Sequence, residues 1–234
     1  MCGRFAFFEL LRFLDELGEA GVPFVRDEFY HFMPGYNIAP ESTLTVLLGD
    51  GDVNVLSNAH WGLVPHWAES MPKVRPVNAR AESIGKKPYF RHMLNRRHCL
   101  IPASGFYEWS EPRNASPRHP FYIHRTDGRP MALAGLWDRW QPPGEERPPL
   151  TSCTIITTAA NPDMRPIHQR MPVILEPETW QEWLDAGDSS AARLLRPAEA
   201  GVIGFHRVSR RINNPQYIRK DGIAPVREDE ETGA

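Results

Sequence analysis

Cysteine is scarce in this chain: 234 residues hold three, Cys2, Cys99 and Cys153. Three cannot all pair and none stand at CxxC spacing, which excludes a disulfide-built scaffold and the usual zinc-ribbon or thioredoxin-like motifs. A surplus of either charge is missing too: the formal net charge of −2 carries no global nucleic-acid signature. Lysine supplies only four of the 27 basic residues (Lys73, Lys86, Lys87 and Lys220). Arginine therefore dominates, as suits bidentate recognition of phosphate or carboxylate, although a GC-rich genome produces the same bias. No apolar run is long enough to span a membrane, and the first residues lack the pattern of a signal peptide. These absences lead us to expect a cytoplasmic protein in a reducing compartment, with no membrane partner, metal or cofactor.

What is present suffices for a real core. Apolar residues make up 41% of the chain, enough for one domain of this length. The 23 prolines and 17 glycines are scattered, so they punctuate structure and mark no low-complexity linker. Leu10, Leu11, Phe13, Leu14 and Leu17 recur at helical spacing, with Gly18 as the expected stop. CGRFAFF before them reads as a strand. TLTVLL and VNVLS flank GDGD as a hairpin with Asp-Gly in its turn. FYIHR-TDG-RPMALAGLW reads as a second hairpin, LTSCTIITT as a buried strand, MPVIL as another strand, and PETWQEWLDAG as a helix. No internal repeat is found. Strands outnumber helices, so the expected class is α+β: one domain over residues 2–226 with a curved, mostly antiparallel core and flanking helices. The acidic residues 227–234 are expected to be a disordered tail.

Four residues carry candidate chemistry. A cysteine at a mature N-terminus, as Cys2 would be after loss of Met1, offers an amine and a thiol on adjacent carbons. With ordinary pKa values near 8 and 8.5 for an exposed pair, the amine forms a Schiff base with an aldehyde. The thiol then closes on the imine carbon to give a thiazolidine, helped by its proximity. His168, between the prolines of PIHQRMP, suits proton donation near neutral pH. Glu108, among the large apolar neighbours of GFYEW, suits proton shuttling. Asn78, in VNARAE, can hydrogen-bond a substrate oxygen. Taken singly, each also has a structural reading: a buried small cysteine, a core-satisfied histidine, an arginine-paired carboxylate, a turn cap.

Arginines follow three of the four two residues later, in Cys2-x-Arg4, Asn78-x-Arg80 and His168-x-Arg170. In extended chain such pairs share a face, which would gather reactive groups and an anion clamp on one surface of a near-neutral protein. Trp61, Trp67 and Trp109 would stack on unpaired bases if exposed; core packing is the ordinary fate of a tryptophan.

Taken in order, MCGRF, YNIAP, WGLVPHW, NARAE, CLIPASGFYEW and IHQRMP resemble the SRAP family of SOS response-associated peptidases, or abasic-site processing proteins. The resemblance runs from Cys2 to about Pro215. It implies one α+β domain with a β-barrel-like core, monomeric, with a cleft for single-stranded DNA containing abasic sites. It also implies nucleoid association on damaged DNA, self-removal of Met1 and covalent cross-linking through the mature Cys2. By that resemblance Asn78, Glu108 and His168 assist Cys2; Arg4, Arg80 and Arg170 contact phosphate; and Thr157, Pro40, Trp67 and Trp109 line the DNA. Ala68 and Gly35 depart from the family pattern, where an aromatic residue and an arginine are frequent. Two other readings stay open: an N-terminal-nucleophile glutamine amidotransferase, and a non-covalent reader of single-stranded DNA or modified bases.

Overall fold

The computed structural model describes residues 2–110, 119–144, 146, 148–185 and 192–226. The acidic tail at 227–234 and Met1 lie outside them. Local patterning accounts for the first elements. Strand β1 (Phe5–Phe7) leads into helix α1 (Leu10–Glu19). Phe13 and Leu17 are buried, with Leu10 and Leu14 packed beside them. Leu11 falls outside this stripe and is exposed, because one residue advances about 100° around a helix. The helix also passes through Gly18 and closes at Gly21, whose φ of +68° is the left-handed conformation glycine adopts without a Cβ clash.

Two sheets form the body. The first has the order β14-β9-β8-β1-β3, from Ile203–Arg207 (β14), Pro120–Arg125 (β9), Gly105–Trp109 (β8), β1 and Gly35–Ile38 (β3). The second runs β12-β11-β10-β7-β4-β5-β2. Its strands are Arg170–Pro172 (β12), Leu150–Ala159 (β11), Met131–Trp140 (β10), His98–Ala103 (β7), Thr43–Asp50 (β4), Val53–Trp61 (β5) and Phe24–Arg26 (β2). Short strands β6 (Asn78–Arg80) and β13 (Ile174–Leu175) pair with β11 and β10. Because β11 also pairs with β5, in parallel, the pairings β11-β10-β7-β4-β5-β11 return on themselves. The α+β class and the curved core are as expected. Three parallel pairings, of β11 with β5 and β6 and of β2 with β5, interrupt the antiparallel pattern.

The β4–β5 hairpin forms as read, in a register where Asp50 faces Val53 across Gly51 and Asp52. The second expected hairpin does not. β9 pairs with β8 and β14 in the first sheet, whereas β10 pairs with β7, β11 and β13 in the second. The TDG segment is a crossover between sheets. Arg125 secures it with hydrogen bonds to Asp127 and Glu176, and the Thr126 hydroxyl donates to the Gly201 carbonyl. MPVIL also splits: Val173 interrupts the ladder and donates instead to the Ile156 carbonyl. PETWQEWLDAG begins as a 3-10 turn (Pro177–Thr179) and continues as α2 (Trp180–Asp185); its expected glycine end lies outside the described residues.

α2 covers the second sheet at β7 and β4 by burying Trp180 and Trp183. The Trp183 indole stands 4.2 Å from the ring of His98 on β7, centroid to centroid. His98 is fully buried, and that burial pushes its pKa from 6.5 down to about 4. The unfolded chain thus binds a proton between pH 6.5 and 4 that the folded chain refuses. Stability from this group is complete above pH 6.5 and declines as pH falls towards 4, by up to about 3 kcal/mol. Urea unfolding of wild type and His98→Gln at pH 7 and pH 4.5 is expected to show a steeper acid loss for wild type; parallel losses would refute it.

Candidate active site

The site lies on the seam between the sheets. Phe5 pairs with Phe106 and Ala6 with Gly105, and the Tyr107 N–H donates to the Arg4 carbonyl at 2.9 Å. Glu108, on β8, stands near enough to Cys2 for its charge to act on the thiol. From the other sheet, β6 runs parallel to β11 with Asn78 opposite Ile155 and Arg80 opposite Thr157. The Asn78 amide bridges the seam, donating through Nδ2 to the Cys2 carbonyl at 2.9 Å. Asn78 Oδ1 is buried without a hydrogen-bond partner among the described residues.

Cys2 is fully buried. Burial pushes its thiol pKa up strongly, and the Glu108 charge pushes it further. With Met1 still attached, this environment departs from that of an exposed terminus: desolvation penalises the thiolate, and the nearby carboxylate repels it. Glu108 is itself buried, at 4% exposure. His168 follows a turn in which the Asn161 side chain accepts from the Met164 N–H. Its Nδ1 lies 2.9 Å from the Arg170 backbone nitrogen. The Arg170 carbonyl oxygen lies 3.1 Å from the same ring nitrogen, so Nδ1 faces both a donor and an acceptor of one residue and its role follows the tautomer.

The arginines are not equivalent. Arg80 is exposed on β6. Arg4 donates to Asn37 Oδ1 at 2.8 Å and to the Ile212 carbonyl at 3.0 Å, and its guanidinium lies 5.7 Å from the centre of the Trp109 ring. Arg170 is held by Glu82, with Nη2 3.0 Å from Oε2, and donates to the Thr157 carbonyl at 2.7 Å. Of the three arginines read as an anion clamp, Arg80 is the exposed one, and Arg4 and Arg170 are half-buried. These two are committed to neighbours remote in sequence, and a phosphate at Arg170 would compete with Glu82.

Thr157 is fully buried. Its hydroxyl accepts from Arg170 at 3.2 Å, so it seats that guanidinium. Pro40 is exposed. Trp67 is 53% exposed and meets Tyr89 edge-on. Trp109 is half-buried and donates to Asn213 at 2.6 Å. Trp61, by contrast, is core: it packs on Phe5 and donates to the Val77 carbonyl, which removes it from any stacking surface. Ala68 is buried with Val64 and Trp140.

The sequence reading missed three supporting residues. Asn37, within the quoted YNIAP, holds Arg4 and donates to the carbonyls of Ile212, Asn214 and Tyr217, tying β3 to the C-terminal segment. The Tyr107 hydroxyl donates to the Tyr36 carbonyl at 2.6 Å. Glu82 restrains Arg170. All three stood inside quoted motifs (YNIAP, GFYEW and NARAE), but nothing in the sequence pairs Glu82 with a residue 88 positions away. Beside Glu82 opens a cleft of about 690 Å³, also lined by Arg91, His92, Asn95 and Thr158. No helix among the described residues is long and apolar enough to cross a membrane.

Comparison with known proteins places this geometry in context. The family model of the SOS response associated peptidases (SRAP) matches residues 1–215. The abasic site processing protein YoqW of Bacillus subtilis is 38% identical over 222 residues, covering 92% of this chain and 96% of its own. The abasic site processing protein HMCES of Rattus norvegicus is 32% identical over 274 residues, covering 97% of this chain and 76% of its own. Among solved structures, a Bacteroides thetaiotaomicron protein superposes with a TM-score of 0.78 at 23% identity, over 91% of this chain and 96% of its own. A phage-related protein from Bordetella bronchiseptica gives 0.68 at 26% identity, over 89% and 95%.

Proposed function

We infer the function of this chain from its family: it belongs to the SOS response associated peptidases, and like the relatives named above it is an abasic site processing protein. We propose further that it acts on single-stranded DNA by covalent capture. Once Met1 is removed, the Cys2 amine condenses with the open-chain aldehyde of an abasic deoxyribose, releasing water. The Cys2 sulfur then adds to the imine carbon while the thiol proton passes to nitrogen, closing a thiazolidine. His168 protonates the ring oxygen to favour opening, a step that draws on its imidazolium form. Glu108 takes the proton that the amine loses on attack. Asn78 holds the backbone of the nucleophile and presents a free Oδ1 to the sugar hydroxyl or the new nitrogen.

The observation that carries this reading is the junction at Cys2. One residue receives the Asn78 amide from one sheet and feels the Glu108 carboxylate from the other. A raised thiol pKa suits the order of events, because the amine reacts first and the thiol closes only within an imine already held beside it. Family membership favours this chemistry over glutamine amidotransfer, and a covalent product separates it from a non-covalent reader. Purified protein mixed with single-stranded DNA bearing one abasic site is expected to give a heat-stable, slow-migrating adduct on a denaturing gel. Intact mass is expected to show a chain lacking Met1. If neither appears, the covalent reading is wrong.

The arginines divide in the same way. Arg80→Ala is expected to weaken binding to undamaged single-stranded DNA. It should also flatten the dependence of log K on log salt by about 0.7, the value of one single-strand phosphate contact. Glu82→Gln, which releases Arg170, is expected to do the opposite. A salt titration by fluorescence anisotropy reads both; equal slopes in all three proteins would remove these arginines from the DNA path.

A further inference from the structure

Away from Cys2, three side chains remote in sequence meet at one point. His66 lies in the loop after β5, His92 in the turn before the Met93–Asn95 helical turn, and Asp138 near the end of β10. His66 Nδ1 is 2.9 Å from Asp138 Oδ2, and His92 Nε2 is 3.4 Å from the same oxygen. The three donor atoms all lie within 4.8 Å of one another, and the imidazoles meet edge-on at 4.9 Å. No residue is shared with the cluster around Cys2. We propose that His66, His92 and Asp138 form a binding site for a divalent transition-metal ion of the zinc class.

The spacing supports this. Metal–nitrogen and metal–oxygen bonds of about 2.0–2.2 Å in a tetrahedral shell separate the ligand atoms by about 3.3–3.6 Å. The three atoms already lie within 4.8 Å of one another, so side-chain rotation of the two histidines is the adjustment such a shell would ask for. The carboxylate is already oriented, since Oδ1 accepts from the Arg139 N–H at 2.9 Å and Oδ2 from the His66 N–H at 2.8 Å. This leaves a second lone pair on Oδ2, in the supporting arrangement typical of metal-bound carboxylates. Asp138 is 1% exposed. The His66 side chain is 56% exposed, so an ion can enter from solvent and keep a water in its fourth position. Two imidazoles and one carboxylate favour zinc, iron, nickel or copper over calcium or magnesium. When bound, the ion clasps the Pro65–Trp67 loop and the His92 turn to β10.

The test is a titration of tag-free, chelator-treated protein with Zn2+, read by competition with a chromogenic chelator, and in parallel with Co2+, read by its visible absorption. One equivalent is expected to bind with micromolar or tighter Kd and to raise Tm. The cobalt spectrum is expected to be that of a four- or five-coordinate N/O site, without a thiolate charge-transfer band. His66→Ala and His92→Ala are each expected to weaken binding at least tenfold, and the double variant to abolish it, with near-UV circular dichroism unchanged. No binding below 100 µM would overturn the site and leave a hydrogen-bonded His–Asp–His clasp. So would unchanged stoichiometry in the double variant, or a thiolate band locating the ion at a cysteine.

Discussion

Cys2→Ala protein, incubated with single-stranded DNA carrying one abasic site, is expected to yield no heat-stable adduct, where wild type converts most of the DNA. Alanine keeps the terminal amine after loss of Met1, so imine formation remains open. What disappears is the sulfur that closes the ring. Intramolecular closure carries an effective molarity of about 10⁵ M or more, and no thiol in solution replaces that. The imine of the variant therefore either hydrolyses or proceeds to β-elimination, and strand cleavage is the expected minor product. Borohydride reduction should trap the variant's imine, showing that the amine still reaches the aldehyde. A heat-stable adduct at wild-type yield would remove sulfur from the mechanism. A variant that neither cross-links nor traps would leave the loss of sulfur indistinguishable from loss of the site, so intact mass and DNA affinity are measured on the same sample.

Glu108→Gln has the second largest expected effect, and its sign discriminates between mechanisms. The carboxylate raises the Cys2 thiol pKa, after burial itself, so its removal makes the thiol more acidic. Were thiolate supply limiting, the variant would cross-link faster. If the carboxylate instead moves the proton released by the attacking amine, the rate falls, by about 100-fold for loss of a positioned base. We expect the fall. Glutamine preserves shape and hydrogen bonding at a position only 4% exposed, which limits structural collateral. Single-turnover rates across pH 6 to 8 measure it; a rate equal to or above wild type excludes Glu108 as the base.

How legible the molecule was depends on the range of the interactions involved. Helix α1, the β4–β5 hairpin and strand β11 follow from periodicity and turn residues within about ten positions of one another, and each is found near its expected place. The β9–β10 hairpin failed although its signals were equally strong, because its partners are chosen elsewhere. β9 finds β8 and β14, β10 finds β7 and β11, and Arg125 anchors the crossover on Glu176, 51 residues away. The candidate site behaves likewise. Cys2, Asn78, Glu108 and His168 were named from residue type and motif. That Asn78 bonds the Cys2 carbonyl, that Arg4 is spent on Asn37, and that Glu82 occupies Arg170 could not be read from spacing.

By itself, then, the amino-acid order determined the class of fold, the family, and the candidate residues: a cysteine at position 2, with proton carriers named by type. Tertiary structure decided which of those groups meet, which cations remain exposed to solvent, and that His66, His92 and Asp138 converge. The reason is physical. Propensity and periodicity act between neighbours along the chain, whereas desolvation, ion pairing and hydrogen bonding act through space between strands that only folding makes adjacent.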